Sequence, residues 1–242
     1  MFLAFKSDIG QKRSENQDKV RIGMIGADSA LAVVCDGMGG ANSGSLASEI
    51  AINAVFDRIA GNYRENADLN SIRNLLLTSV SAANSLVYQE SSEHEENQGM
   101  GTTCVAALVR GRQVFVANVG DSRAYILTPE GIRQVTNDHT LVEMLYEQGQ
   151  ISREEADTHR MKNVITKAVG VEKDIETDYF EVENDTNFTV LLCSDGLYNY
   201  CTDELMYDTV FGQNLDEAAS KLVAHANLEG GRDNITIALL AN

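Results

Sequence analysis

The apolar positions divide this chain into strand-like runs at both ends and in the middle, with helical stretches between them. Residues 1–6 read as a first strand. Residues 19–25 and 30–35 read as a hairpin pair joined by the turn-forming Gly26-Ala27-Asp28-Ser29. From residue 43 to about 59 the period becomes helical, with Leu46, Ile50, Ala54 and Val55 near one face. A second helix is predicted over 69–88, with Ile72, Leu75, Leu76, Ser79 and Ala83 as its inner stripe. The polar stretch 91–98 then reads as a loop. Strands resume at 102–109, 113–119 and 122–127, the first two joined by a tight turn at Gly111-Arg112. A polar, helix-prone insertion occupies 138–170. It is followed by strands at 177–182 and 188–193, helices at 202–210 and 215–227, and a last strand at 234–240.

Strands, two helices, strands, two helices and a strand make an α+β order, not an alternating βαβ one. The economical packing is a four-layer α-β-β-α sandwich: two antiparallel sheets face to face, each covered outside by a helix pair. No Pro-, Gly- or Ser-rich linker divides the 242 residues, so one domain spanning 1–242 is expected. A hydrophobic fraction of 43% and a charged fraction of 23% are those of an ordinary globular chain.

Charge and cysteine usage narrow the function. A net charge of −17 repels a phosphate backbone and argues against nucleic-acid binding. No run approaches the roughly 18 apolar residues of a membrane span, and the N-terminus lacks a basic segment before its short apolar stretch. The expectation is therefore a cytoplasmic, monomeric protein that does not engage a membrane. The four cysteines, Cys35, Cys104, Cys193 and Cys201, show no CxxC pairing. Three of them sit in apolar strand-like runs, which reads as buried thiols rather than a zinc site or a nucleophile.

Five aspartates flank predicted strands. Asp36, Asp121 and Asp195 follow strands, whereas Asp18 and Asp233 precede them. In antiparallel sheets the start of one strand lies beside the end of its neighbour, so these acids can gather along one rim. Such a cluster is unfavourable unless cations lie within it, and hard divalent ions prefer oxygen ligands. Taken singly, each aspartate is more often a turn residue than a ligand. Five together, two of them before glycine in Asp36-Gly37-Met38-Gly39-Gly40 and Asp195-Gly196, favour metal.

These segments occur in order with Ser7-Asp8-Ile9-Gly10 through Arg13 to Asp18, Gly101-Thr102-Thr103, Asn118-Val119-Gly120-Asp121-Ser122-Arg123, Ile165-Thr166-Lys167-Ala168-Val169-Gly170 and Gly231-Arg232-Asp233-Asn234. The ordered set resembles the metal-dependent protein phosphatases, the type 2C serine/threonine phosphatases, in their compact bacterial form. The resemblance implies hydrolysis of phosphoserine and phosphothreonine in proteins by a water activated between two Mn²⁺ or Mg²⁺ ions. Asp36 would bridge the ions and Asp195 and Asp233 would complete the first site. The carbonyl of Gly37 would serve the second, with Asp18 directly or through water. Asp121, with Asp195, would hold a third, weaker ion, and Arg13 would grip the substrate phosphate. Partners would be phosphorylated proteins and an opposing Ser/Thr kinase, and the insertion at 138–170 would be the flap beside the site.

The chain departs from the pattern at Gln17, where some relatives carry an acid, and at Met38, where animal members carry a histidine proposed as general acid. Lys167 and Ser45 stand where bacterial relatives often have arginine and glutamate. His139 opens the insertion and reads as a structural partner. Two other readings remain: a phosphatase dedicated to one sigma-factor antagonist, and a catalytically inactive binder of phosphoproteins. The intact acid set disfavours the second.

Overall fold

The structure of the protein, a computed structural model, describes residues 1–39 and 43–242. Gly40, the last residue of the glycine turn read after Asp36, lies outside the described residues. In chain order the elements are β1 (Phe2–Asp8), β2 (Asp18–Gly26), β3 (Ser29–Met38), α1 (Ser43–Asn62), α2 (Leu69–Glu93), β4 (Gly101–Thr102), β5 (Cys104–Arg110), β6 (Gln113–Val119), β7 (Arg123–Thr128) and β8 (Gly131–Gln134). They continue with α3 (Leu141–Glu147), α4 (Arg153–Thr158), β9 (Asp178–Glu183), β10 (Thr189–Cys193), α5 (Asp195–Tyr198), α6 (Asp203–Val210), α7 (Leu215–Leu228) and β11 (Ile235–Ala241). The strands form two antiparallel sheets, ordered β1-β11-β10-β7-β8 and β2-β3-β5-β6-β9, with β4 paired to β3.

Three apolar layers hold this arrangement. Between the sheets, Ala32, Val34, Val105 and Val116 meet Ile126, Val190, Leu192 and Leu240. On one outer face Leu31, Val33, Ala106 and Leu108 pack under α1 and α2; on the other, Leu191, Ile237 and Leu239 pack under α6 and α7. The four-layer α+β sandwich expected from the element order is thus the observed fold. Because the central strands are covered on both faces, they read as continuous apolar runs and not as alternating ones.

Local departures from the sequence pattern have identifiable causes. The buried face of α1 carries Ala47, Ala51, Val55 and Ile59, while Leu46, Ile50 and Ala54 lie on its flank, so the stripe is rotated from the expected one. Alanines at the contact let the helix approach the sheet closely. Helix α2 is N-capped by Asp68, which accepts from the Ser71 amide at 2.7 Å, and it runs to Glu93, into the segment expected to be a loop. The strand expected at 102–109 is broken at Thr103 into β4 and β5, since Thr103 turns its hydroxyl and amide toward Asp36. Asp195 does not sit in a plain turn but opens the short helix α5, and the four residues of β8 were not anticipated.

Gly196 is needed for backbone contact: a Cβ there would lie 1.9 Å from the Asn234 carbonyl oxygen. By contrast, a Cβ at Gly61, near the end of α1, meets nothing within 4 Å. Urea unfolding in EDTA is expected to show Gly196→Ala destabilised by about 3 kcal/mol, and Gly61→Ala stabilised by about 0.5 kcal/mol.

Candidate active site at the sheet rim

Strand register carries the acids to one edge of the sandwich. Asp18 and Asp36 are direct cross-strand partners, both inside strands and not beyond their ends. Cys104 pairs with Val119, which brings Thr103 and the Gly120-Asp121 turn beside Asp36. In the other sheet Cys193 pairs with Ile237, so Asp195 and Asp233 lie just past the same end. A cleft of about 310 Å³ opens there. Arg13, Asp36, Gly37, Asp121, Asp195 and Asp233 all line it. Asp18 does not; it is buried beneath the cleft against Asp36. A larger cavity, about 470 Å³, lies between Phe2, Phe188 and the α6–α7 turn, but only Asp216 among its lining residues is charged.

Each acid is held by a different device. The Ser194 hydroxyl donates to Asp18 Oδ2 at 2.7 Å and accepts the Thr236 amide at 3.1 Å, so it joins one sheet to the other. The Asp36 amide donates to Thr103 Oγ1 at 2.9 Å, and that hydroxyl is 2.7 Å from Ser122 Oγ. Asp195 Oδ2 accepts from Asn199 Nδ2 at 3.3 Å. Asp233 accepts the Asn234 amide on Oδ1 and Arg13 Nη2 on Oδ2, the latter at 2.7 Å. The Asn234 side chain accepts the Gln17 amide and donates to the carbonyls of Ile9 and Glu15, which fixes the loop that presents Arg13.

Crowding of like charge in a poorly solvated place raises the carboxyl pKa values. Burial is the main cause at every position. It pushes Asp18 up to about 6, against the lowering effect of the Ser194 hydroxyl. Asp121 rises to about 7, through burial and then the charge of Asp138, partly offset by its own backbone amide, the charge of Arg123 and the Tyr198 hydroxyl. Asp195 rises to about 8, through burial and then the charges of Asp121 and Asp233. Asp36, set among Asp18, Asp195, Asp121 and Asp233, is raised well above the carboxylate range.

The donor set fits hard divalent cations. Every side-chain donor is a carboxylate oxygen, and Asp18 Oδ1 and Asp195 Oδ1 are buried without a hydrogen-bond partner among the described residues, a costly state that a cation relieves. Among the described residues, no three acidic, histidine or cysteine side chains ring one point tightly enough to enclose an ion unaided. The acids instead line a shared cleft, which suits ions that keep much of their water. All four cysteines are buried and unpaired, away from any nucleophilic role in the cleft.

Several residues at the site carried no assigned role in the sequence reading. Ser194 and Asn234 adjoin Asp195 and Asp233 in the chain, the one signal that marks them, whereas Thr103 stands in the Gly101-Thr102-Thr103 segment with no acid beside it. Asn163 and Ile165 of the insertion also line the cleft. Behind Asp121, Arg123 grips Asp138 through Nε and Nη2, and its guanidinium lies 3.6 Å from the Tyr198 ring centroid.

Comparison with known proteins identifies the family. The family model described as protein phosphatase 2C matches residues 10–229. The chain is 37% identical over 244 residues to the serine/threonine phosphatase stp of Listeria welshimeri, covering 99% of this chain and 95% of that protein. It is 34% identical to the protein phosphatase PhpP of Streptococcus pneumoniae, covering 100% of this chain and 97% of the relative. The crystal structure of the serine/threonine phosphatase Stp1 from Staphylococcus aureus superposes with a TM-score of 0.92 at 35% identity, over 99% of this chain and 94% of that one. The chain therefore belongs to the protein phosphatase 2C family and is a serine/threonine protein phosphatase of its bacterial type.

Proposed function

We propose that the rim acids are the catalytic metal centre of this phosphatase, each with its own role. Asp36, Asp195 and Asp233 would hold a first Mn²⁺ or Mg²⁺ ion, and Asp36, the Gly37 carbonyl and Asp18, directly or through water, a second. Asp121, with Asp195, would hold a third, weaker ion. The observation that carries this reading is the pair of buried carboxylate oxygens without partners, Asp18 Oδ1 and Asp195 Oδ1, within a set of mutually repelling acids. When bound, the paired ions would supply a nucleophilic water at neutral pH and offset charge on the phosphoryl group.

The chain's own residues do the rest. Arg13, half exposed at the cleft mouth, presents a planar fork to phosphate oxygens. Among the described residues it engages Asp233 through Nη2 alone, so its other N–H groups are free for substrate. Asn234 keeps the Arg13 loop in place, and the Thr103 and Ser194 hydroxyls hold Asp36 and Asp18 in position. Direct attack by water agrees with the burial of every cysteine thiol. Residues 1–242 act as one phosphatase domain, in which 138–170 is a flap; the place of Asn163 and Ile165 in the cleft wall supports this. The substrates are phosphorylated proteins, and the enzyme works as a monomer in the cytoplasm against a Ser/Thr kinase. None of its described helices is long and apolar enough to cross a membrane.

Phosphopeptide hydrolysis in Mn²⁺ is expected to fall by at least about a hundredfold in Asp36→Asn and in Asp195→Asn, as for other lost charge-stabilising groups. EDTA is expected to abolish activity, and full turnover in EDTA would refute the metal assignment. Arg13→Ala is expected to raise KM for phosphopeptide about tenfold, the scale of one charge-assisted hydrogen bond. For the metal-free protein the pH dependence has a definite sign. Asp18, Asp121 and Asp195 hold protons more tightly folded than unfolded, so their contribution is present below about pH 4 and is lost as pH rises through about 6 to 8. Urea midpoints in EDTA are therefore expected to fall across that range, and with saturating Mn²⁺ to rise, because bound cations favour the ionised acids.

A further inference from the structure

Resting on the assignment of Asp121 to the weaker ion, we propose that His139 is the positioning residue that fixes this carboxylate, acting through the backbone of Gly120. The turn before Asp121 is tightly constrained. Gly120 adopts φ +101°, and a Cβ there would lie 2.6 Å from Thr103 Cγ2. His139 grips this residue from both sides: its amide donates to the Gly120 carbonyl at 3.1 Å, and its Nδ1 accepts the Gly120 amide at 3.0 Å.

A nitrogen that accepts from an N–H carries no proton itself, so the imidazole hydrogen resides on Nε2. That atom is 3.2 Å from Asp178 Oδ2 at the start of β9, a close but oblique contact that leaves Nε2 without an aligned partner. The other Asp178 oxygen is 4.0 Å from Lys167 Nζ. The His139 carbonyl accepts the Thr166 amide at 2.8 Å. One buried residue thus ties the exit of β6, both ends of the insertion and the head of β9 to the turn that aims Asp121. His139 does not line the cleft and touches no reacting atom. Its influence runs through the two hydrogen bonds to the Gly120 main chain, the residue directly before Asp121.

The experiment separates the two imidazole nitrogens by substitution. His139→Asn puts a carbonyl oxygen where Nδ1 stands and keeps the bond to Gly120; His139→Gln reaches toward Nε2 and loses it. Mn²⁺ binding to the whole chain is followed by the electron paramagnetic resonance signal of the free ion, alongside phosphopeptide hydrolysis. In His139→Asn the weakest Mn²⁺ is expected to bind within about twofold of wild type. In His139→Gln it is expected to bind about tenfold more weakly, the scale of a lost group that orients a metal ligand, while the two tighter ions are unaffected. In an Asp121→Asn background neither substitution is expected to change binding further. The proposal is overturned if His139→Gln binds the weakest ion like wild type, if it weakens all three ions alike, or if its effect persists in Asp121→Asn. A folded His139→Asn that binds the weakest ion as poorly as His139→Gln overturns it too. Failure of the metal assignment reads differently: there Asp36→Asn and Asp121→Asn leave Mn²⁺ stoichiometry unchanged, which removes the basis of this proposal as well.

Discussion

Mutual repulsion among buried carboxylates is the constraint on which the rest of this structure depends. Hydrophobic burial in three layers drives the two sheets together, and strand register then forces Asp18 against Asp36 and brings Asp121, Asp195 and Asp233 to the same edge. Nothing in the apolar packing tolerates that concentration of charge. The fold accommodates it with hydroxyl and amide donors: Ser194 on Asp18, the Asn234 amide and Arg13 on Asp233, Asn199 on Asp195. These donors are too few, and among the described residues one oxygen each of Asp18 and Asp195 stays unpartnered. The structure is therefore organised around an edge where carboxylates are packed more closely than their donors can satisfy.

Much of this was legible in the amino-acid order. The aspartates stand at strand ends, and antiparallel pairing alone predicts that they share a rim. Apolar runs marked the central strands, and a change of period marked α1, α2, α6 and α7. What the sequence did not disclose depended on tertiary contact. The face of α1 is chosen by how closely Ala47 and Ala51 approach the sheet, not by where the largest side chains fall. Thr103 breaks a strand whose propensity is continuous because its hydroxyl and amide are drawn to Asp36. Asp18 reads as the residue before a strand, yet it pairs inside one. Asp195 and Gly196 read as a turn and prove to be the first residues of a helix, since the glycine serves close approach to Asn234 and not a change of direction.

The insertion shows a similar division between local and tertiary information. Its helices are visible in their caps, with Thr140 accepting from Glu143 and a reciprocal Ser152–Glu155 pair. Its attachment is not visible, because the contacts of His139 with Gly120 and Thr166 link positions far apart in the chain. A histidine that reads as a bland structural partner thus stands at the junction between the scaffold and the wall of the cleft.

Two glycines beside the cleft acids set one further boundary. Gly37 faces the Gly44 carbonyl so closely that a Cβ would lie 2.0 Å from it, and Gly196 faces Asn234 in the same way. At these two points main chain meets main chain, with no side chain whose size could be traded for another. The backbone path next to Asp36 and Asp195 is consequently fixed at these two points, outside the reach of gradual side-chain substitution. Inheritance can vary the side chains of the cleft wall, Asn163 and Ile165 of the insertion among them, but it cannot shift these two main-chain contacts in small steps. Such a scaffold can keep its chemistry constant while the set of proteins it serves diverges.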